Sequence, residues 1–571
     1  MNETEISAAT VRNWQRLGTA PESRLTSRAN KKRSLKRIIP SEYLRHRETE
    51  NILQGFLLIA DKYHVSAENA VYSLCVNFLR QKGIFHLPHV KRVMAEYQNF
   101  SYIDELRELV IPENEFDFIG AAYQSMLCEG KKNTIGSYYT PEKIAADMTQ
   151  GAFLSESKPF LDPCCGSGAF LLAAKADDPR LLYGSDIDPI AVMIAKTNLL
   201  CRYPHIEFIP NIFCGDYLSE DIFHDIRFGF IAANPPWGAA SVHKDSHGEI
   251  ASGESFSRFF EKAFSQLADD GKIRFLFPES ILNVRTHKGI RDFILNNCRL
   301  EQITRYDGSF SGVVTGFADI RAEKSIPHDS LIYVRGGEKR EVHTAAFRET
   351  RNLNFMPLSP MDIRIIHKVK KAGRYDLSSS VWGLGIVTGD NKGKLLSEHL
   401  PGTEPVFTGR EIFPYRLSSP AHFIRYDRAS FQQAARDEIY RASEKLVYRF
   451  ISDRLIFAYD DSGRLFLNSA NILIPKIPDM SVKTVMAFLD SPLYSFLYRR
   501  LFGEIKILRG NLSELPFPCI SPELDKELTA LADNAVKNGC GYEDINRIIY
   551  DIFGLDDEEI RYIENNEPHS F

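Results

Sequence analysis

The chain has 571 residues, more than a single hydrophobic core accommodates, so two or three domains are expected. Its 44% hydrophobic and 25% charged residues are ordinary for a globular protein and exclude a fibrous or low-complexity chain. The net charge of -5 hides an asymmetry: residues 12–47 hold eleven Lys or Arg against Glu22 and Glu42, whereas residues 551–567 are acidic.

Nine cysteines are scattered without a Cys-x-x-Cys pair, and the adjacent Cys164-Cys165 is a poor disulfide, so a reducing compartment and no structural metal are expected. No apolar run approaches about 18 residues, and the start of the chain is polar. These features predict a soluble, cytoplasmic protein with no membrane partner.

Residues 1–115 read as a basic helical region. Residues 6–14 form a short amphipathic pattern, and Thr10-Val11-Arg12-Asn13-Trp14 resembles the recognition segment of small helix-turn-helix modules. Lys31-Lys32-Arg33 and Lys36-Arg37 are able to neutralise phosphates, and a solvated arm is an equally good reading. From 48 to 100, apolar residues recur at helical spacing (Ile52, Phe56, Ile59; Ala70, Leu74, Phe78), which predicts a helical bundle.

Residues 116–345 alternate strand and helix patterns. Phe160-Leu161-Asp162-Pro163-Cys164-Cys165-Gly166-Ser167-Gly168 follows a short apolar strand and opens an apolar helix. Gly166 and Gly168 remove side chains where the backbone must approach a ligand, and no Lys-Ser/Thr pair makes this a nucleotide phosphate loop. The next strand ends in Asp186-Ile187-Asp188-Pro189. Asp186 is placed to accept two ribose hydroxyls, and Asp188 to cap the following helix. Cys214-Gly215-Asp216-Tyr217 puts another acid in a loop, where it serves either as a turn residue or as an acceptor for an adenine amino group.

An apolar run from Phe228 then breaks at Asn234-Pro235-Pro236-Trp237-Gly238. The Asn234 side-chain carbonyl and the Pro235 backbone carbonyl are able to accept both hydrogens of one planar amino group. The prolines restrict torsions, and Trp237 offers a flat face. Beyond it, helices are expected over 256–267 and 289–295, strands over 273–277 and 300–306, and a closing antiparallel hairpin from Val313, 317–320 and 331–334.

In order, Asp-Pro-Cys-Cys-Gly-Ser-Gly, Gly-Ser-Asp-Ile-Asp-Pro, Cys-Gly-Asp-Tyr and Asn-Pro-Pro-Trp resemble the motifs of gamma-class S-adenosylmethionine-dependent methyltransferases acting on adenine N6 in DNA. Gly136-Ser137-Tyr138-Tyr139-Thr140-Pro141 resembles that family's additional cofactor motif, and Asp307-Gly308-Ser309-Phe310-Ser311 its aromatic loop. The resemblance implies a Rossmann-like α/β domain with a mostly parallel sheet. It implies S-adenosylmethionine held by Tyr139, Thr140, Asp162, Cys164, Gly166, Gly168, Asp186, Ile187, Asp216 and Tyr217. Asn234, Pro235, Pro236, Trp237 and Phe310 would then grip an extruded adenine, with no metal and no covalent intermediate.

In residues 346–571, Gly383-Leu384-Gly385-Ile386-Val387-Thr388-Gly389-Asp390-Asn391-Lys392 carries too many glycines for a packed strand. Residues 380–520 resemble a TaqI-like specificity domain, an α+β target-recognition module, here followed by a helical acidic tail. Arg410, Arg449, Arg454, Arg499 and Arg500 are candidates for phosphate or guanine contacts, and Asn391 and Asn468 for adenine. The resemblance implies double-stranded DNA as partner and a restriction-modification setting in a bacterium or archaeon, with a separately encoded restriction endonuclease acting on the same site. Asn-Pro-Pro-aromatic also occurs in methyltransferases of RNA bases and of protein glutamine. A DNA-binding subunit with an inactive pocket is the non-enzyme alternative.

Overall fold

In a computed structural model of the chain, which describes residues 44–128, 140–152, 154–237, 250, 254–306 and 316–567, the apolar run ahead of Asn234 is a central strand of a nine-stranded sheet. The described residues fall into two compact units, one ending at Pro357 and the other beginning at Leu358.

The first unit opens with helices α1 (Arg47–Lys62), α2 (Ala67–Gln81), α3 (Pro88–Met94) and α4 (Phe118–Met126), then α5 (Glu142–Thr149). The sheet is built from β1 (Phe160–Asp162), β2 (Leu182–Asp186), β3 (Asn211–Cys214), β4 (Phe228–Ala233), β5 (Leu267–Pro278), β6 (Arg299–Tyr306), β7 (Phe317–Glu323), β8 (Ser330–Arg335) and β9 (Glu338–His343). Helices α6 (Ala169–Ala173), α7 (Pro189–Arg202), α8 (Ser255–Ser265) and α9 (Lys288–Asn297) connect its strands.

Spatial order is β3-β2-β1-β4-β5-β7-β6-β8-β9, and β1 to β5 are parallel. Strand order reverses between β1 and β4, so their carboxyl ends, Asp162 and Ala233-Asn234, flank the crevice where α/β sheets bind ligands. The buried faces explain the continuous apolar run: every residue of β4 except Gly229 is buried.

The expected closing antiparallel hairpin is present, formed by β6 and β7, and residues 331–334 stand outside it. Strand β7 inserts antiparallel between β5 and β6, whereas β8 runs parallel to β6 and forms its hairpin with β9. The β5–β7 register carries a fully buried ion pair, Arg274 with Asp319, and Arg274 also donates to the Asp147 carbonyl of α5 at 2.5 Å. The apolar faces of α1, α2 and α4 (Leu53, Phe56, Leu74, Tyr123) share one core with the sheet residues Phe160, Leu182, Phe230 and Leu276. The helices expected before residue 115 therefore complete the sheet's outer layer instead of forming a bundle of their own.

The second unit begins with α10 (Pro360–Ala372) and has two four-stranded sheets besides two short two-stranded ones among the described residues. Strands β10 (Val381–Leu384), β13 (Lys445–Arg449), β14 (Phe457–Asp460) and β15 (Ala470–Ile474) pair antiparallel in the order β10-β15-β13-β14. Strands β11 (Glu404–Phe407) and β12 (His422–Ile424) pair in the second. Ile386, Val406, Ile424, Val447 and Ile472 form the common core.

The glycines that argue against a packed strand permit one. A Cβ on Gly385 would lie 2.1 Å from the Leu467 carbonyl oxygen, so only glycine lets the chain beyond β10 approach that backbone. Helices α11 (Val482–Leu489), α12 (Pro492–Phe502), α13 (Pro522–Asn538), α14 (Tyr542–Ile552) and α15 (Asp557–Asn565) follow. The acidic tail is neutralised locally: buried Glu559 meets Lys368 at 2.6 Å and Arg364 at 2.8 Å, both on α10. Among the described residues no helix is long and apolar enough to cross a membrane, and no group of side chains is arranged to hold a metal ion.

Candidate active site

A small cavity at the carboxyl ends of β1 and β4 is lined by Thr140, Asp162, Cys164, Gly166 and Asn234, together with Cys165, Ser167, Ala169 and Phe170. Five residues expected from sequence, contributed by three separate motifs, therefore meet in one place. Gly166 and Gly168 adopt φ of +51° and +94°, a left-handed path that favours glycine, and Gly168 leads directly into α6.

The glycine loop is tied to the second strand. Gly166 N–H donates to Asp186 Oδ2 at 2.8 Å, and Asp188 N–H donates to Asp186 Oδ1 at 2.9 Å. Each carboxylate oxygen keeps a further lone pair for a ligand hydroxyl. Burial pushes the Asp186 carboxyl up to about 6, against the pull of those two N–H groups. Ile187 is 63% exposed beside it, an apolar surface at the rim of the crevice. Asp188 caps α7 through Ile190 N–H at 2.9 Å, as its position before Pro189 predicts.

Asp162 is buried. Its Oδ1 accepts the Cys164 N–H at 3.2 Å, while Oδ2 has no hydrogen-bond partner among the described residues. Burial holds this carboxyl well above the usual range. Asp162 lines the cavity, and a buried acceptor left unsatisfied in its wall fits a ligand that brings a donor or a positive charge, such as the ammonium of an amino acid. Burial also raises the Cys164 and Cys165 thiols well above their ordinary values, so both are protonated and neither is a nucleophile at neutral pH.

Asn234 is half-buried at the end of β4, and its Nδ2 donates to Thr140 Oγ1 at 3.2 Å. Pinning the amide nitrogen turns the carbonyl oxygen to the opposite side. The Asn234 backbone N–H faces the Cys164 sulfur, which links the Asn-Pro-Pro turn to the glycine loop. The turn is held by its neighbours: Ser255 Oγ donates to the Pro236 carbonyl, and Trp237 Nε1 donates to the Leu276 carbonyl at 3.3 Å. Trp237 is half-buried, packed on the core edge that also receives Tyr306.

Asp216 and Tyr217 are held by partners of their own and are not among the residues that line the cavity. Asp216 bonds within its own turn, to Leu218 N–H at 3.0 Å and Ser219 Oγ at 2.8 Å. Tyr217 is buried, stacked on Phe259 at 5.5 Å, with its hydroxyl on Gln266 at 2.6 Å, and does not line the cavity. Tyr139, Phe310 and the segment resembling a helix-turn-helix lie outside the described residues.

In the second unit Arg410 is exposed. Arg449 donates to the Ile412 carbonyl at 2.8 Å and lies over Phe413. Arg500 pairs with Asp362 of α10 at 2.9 Å and donates to Asn566 Oδ1 at 2.7 Å, and Arg499 donates to the Asn566 carbonyl, so these two brace α12 against α10 and the residue after α15.

Residues 114–310 match the model of the N-6 DNA methylases, and residues 404–517 match the TaqI-like C-terminal specificity domain. The chain is 30% identical to the type II methyltransferase M.VspI of Vibrio sp. (strain 343), across 63% of this chain and 91% of the relative. The chain belongs to the N-6 DNA methylase family. It is a DNA methyltransferase of the restriction-modification type, with a TaqI-like specificity domain, as the order of its motifs predicts. The methylase is also 28% identical to the type II restriction enzyme and methyltransferase RM.BcgI of Heyndrickxia coagulans, over 37% of this chain and 35% of that one. The structure of the type IIL restriction-modification enzyme MmeI in complex with DNA covers 93% of this chain and 98% of its own, with a TM-score of 0.62 and 12% identity, a likeness of fold.

Proposed function

We propose that this methylase transfers a methyl group from S-adenosylmethionine to the N6 amino group of an adenine swung out of duplex DNA. The observation that carries the reading is the convergence of Asn234, Thr140 and Asp162 on one cavity at the strand-order reversal. Asp162 would take the amino acid portion of the cofactor, Asp186 its ribose hydroxyls, and Ile187 one face of its adenine. When bound, S-adenosylmethionine supplies an electrophilic methyl on a positively charged sulfur.

An adenine amino nitrogen is a weak nucleophile because its lone pair is delocalised into the ring. The Asn234 side-chain oxygen and the Pro235 carbonyl would accept its two hydrogens, favour a pyramidal nitrogen, and stabilise the positive charge that develops on it. Because the target is held in a pocket, it must leave the stack, at a cost of a few kcal/mol that Trp237 and Phe310 offset by stacking on the ring. The resemblance of Asn-Pro-Pro-Trp to the adenine-N6 family's motif, with an initial Asn and not Ser or Thr, supports adenine over cytosine. Residues 116–345 would carry the chemistry, residues 346–571 would read the DNA sequence, and a separately encoded endonuclease acting at the same site is the expected partner.

The test is to express the protein in methylation-free cells and map modified bases in their DNA. N6-methyladenine at one recurrent sequence is expected, and methylcytosine or no modification would overturn the reading. With purified protein, Asn234→Ala lowers the rate of methyl transfer to duplex DNA by at least about 100-fold while calorimetric binding of S-adenosylhomocysteine stays within a few-fold of wild type. Equal loss of both would contradict the role given to Asn234.

A further inference from the structure

Helix α4, which precedes the sheet, is bonded both to the glycine loop and to the turn after β2. Asp117 caps it, with Oδ1 accepting the Gly120 N–H at 2.9 Å. The same carboxylate accepts Asn198 Nδ2 from α7 at 2.8 Å and the Ser167 hydroxyl from the glycine loop. Asn198 Nδ2 reaches the Ser167 carbonyl as well, at 3.0 Å. Farther along α4, the Tyr123 hydroxyl donates to Asp188 Oδ2 at 2.7 Å, in the turn whose backbone N–H holds Asp186.

A helix cap by itself does not require this arrangement. An exposed Ser or Asp caps equally well, whereas Asp117 is buried and collects donors from three elements. Gly120 is shaped to the junction: a Cβ there would lie 2.0 Å from Asp117 Oδ2 and 2.6 Å from Ser167 Oγ. Burial raises the Asp117 carboxyl, and the bonds from Ser167, Gly120 and Asn198 oppose that rise.

We propose that Asp117 and Tyr123 are positioning residues of the methyl-donor site, holding the glycine loop and the turn after β2 at the separation the donor requires. Neither is assigned contact with the donor. Asp117 acts through Ser167, and Tyr123 acts through Asp188 on Asp186. The inference rests on the S-adenosylmethionine reading above.

The experiment is calorimetric titration of S-adenosylhomocysteine into the full-length protein at 25 °C, with thermal melting of each variant and binding to a random-sequence DNA duplex. Asp117→Asn is expected to weaken S-adenosylhomocysteine about tenfold and Tyr123→Phe about threefold, the scale of one lost charge-assisted or neutral hydrogen bond. Duplex binding stays within twofold. Asp117→Asn combined with Ser167→Ala loses little more than Asp117→Asn alone, because both remove one contact.

Lowered melting temperatures with S-adenosylhomocysteine affinity within twofold of wild type would show a merely structural role and overturn the proposal. Tyr123→Phe removes a single oxygen and decides the matter if Asp117→Asn does not fold. Wild-type protein that fails to bind S-adenosylhomocysteine would strike the cofactor reading itself, a result distinct from wild-type binding with unaffected variants.

Discussion

Asp186 shows how one side chain's environment reaches the cofactor. Its carboxylate already accepts two backbone N–H groups, and burial lifts its titration to about 6. Only the ionised form is able to accept both ribose hydroxyls, so affinity for S-adenosylhomocysteine is flat above pH 6 with respect to this group. Below pH 6 the protonated form accumulates and affinity falls, approaching about tenfold per pH unit. Titration calorimetry between pH 5 and 7.5 checks this, and a flat profile would remove Asp186 from the ribose contact. Sequence placed this acid at a strand end. That the same carboxylate also staples the glycine loop was not legible there, because the Gly166 N–H comes from a segment twenty residues earlier.

Strand β7 belongs to the closing antiparallel hairpin expected from sequence, but its partners are β6 and β5, not residues 331–334. Residues 317–320 and 331–334 both read as strands, and the family resemblance implies a closing hairpin from them. The buried charges on β5 and β7 bear on the outcome: Arg274 and Asp319 meet only if β7 lies beside β5. Arg274→Ala leaves an uncompensated buried carboxylate and is expected to destabilise the first unit by about 3–5 kcal/mol. Replacing both residues by apolar ones of similar volume is expected to restore most of that stability. Urea unfolding of the two variants measures it, and equal losses would show that the cost lies in losing the pair itself and not in the charge left behind. The turn at Trp237 depends on the same layer, since its indole N–H is bonded to the Leu276 carbonyl of β5.

At the scale of the whole molecule, two cores divide the chain at Pro357-Leu358. Each core has its own apolar cluster, so thermal unfolding is expected to show two transitions. S-adenosylhomocysteine at about 100 times its Kd adds about 2.7 kcal/mol to whichever unit binds it. The expected result in differential scanning calorimetry is that one transition moves up by a few degrees and the other stays. Movement of both by the same amount would mean that the units unfold together. The second unit holds its own charge balance, with the acids of α15 paired to the cations of α10. Arg499 and Arg500 of α12 both bond Asn566, just beyond α15.

The sequence alone determined the strand-and-loop order of the catalytic unit, because a buried parallel strand must be continuously apolar and its end must be marked by residues that turn or bind. Asp162, Asp186 and Asn234 were recognisable on those grounds, and the order of their motifs was enough to indicate the family. Tertiary structure alone decided which expected residues share a cavity, that Tyr217 belongs to the core, and that Gly385 makes room for a neighbouring backbone. It also decided that Asp117 reaches the glycine loop. Local patterns report the period and the breaks of an element, whereas such contacts depend on hydrogen bonds and steric fit between segments tens of residues apart, which no local pattern encodes.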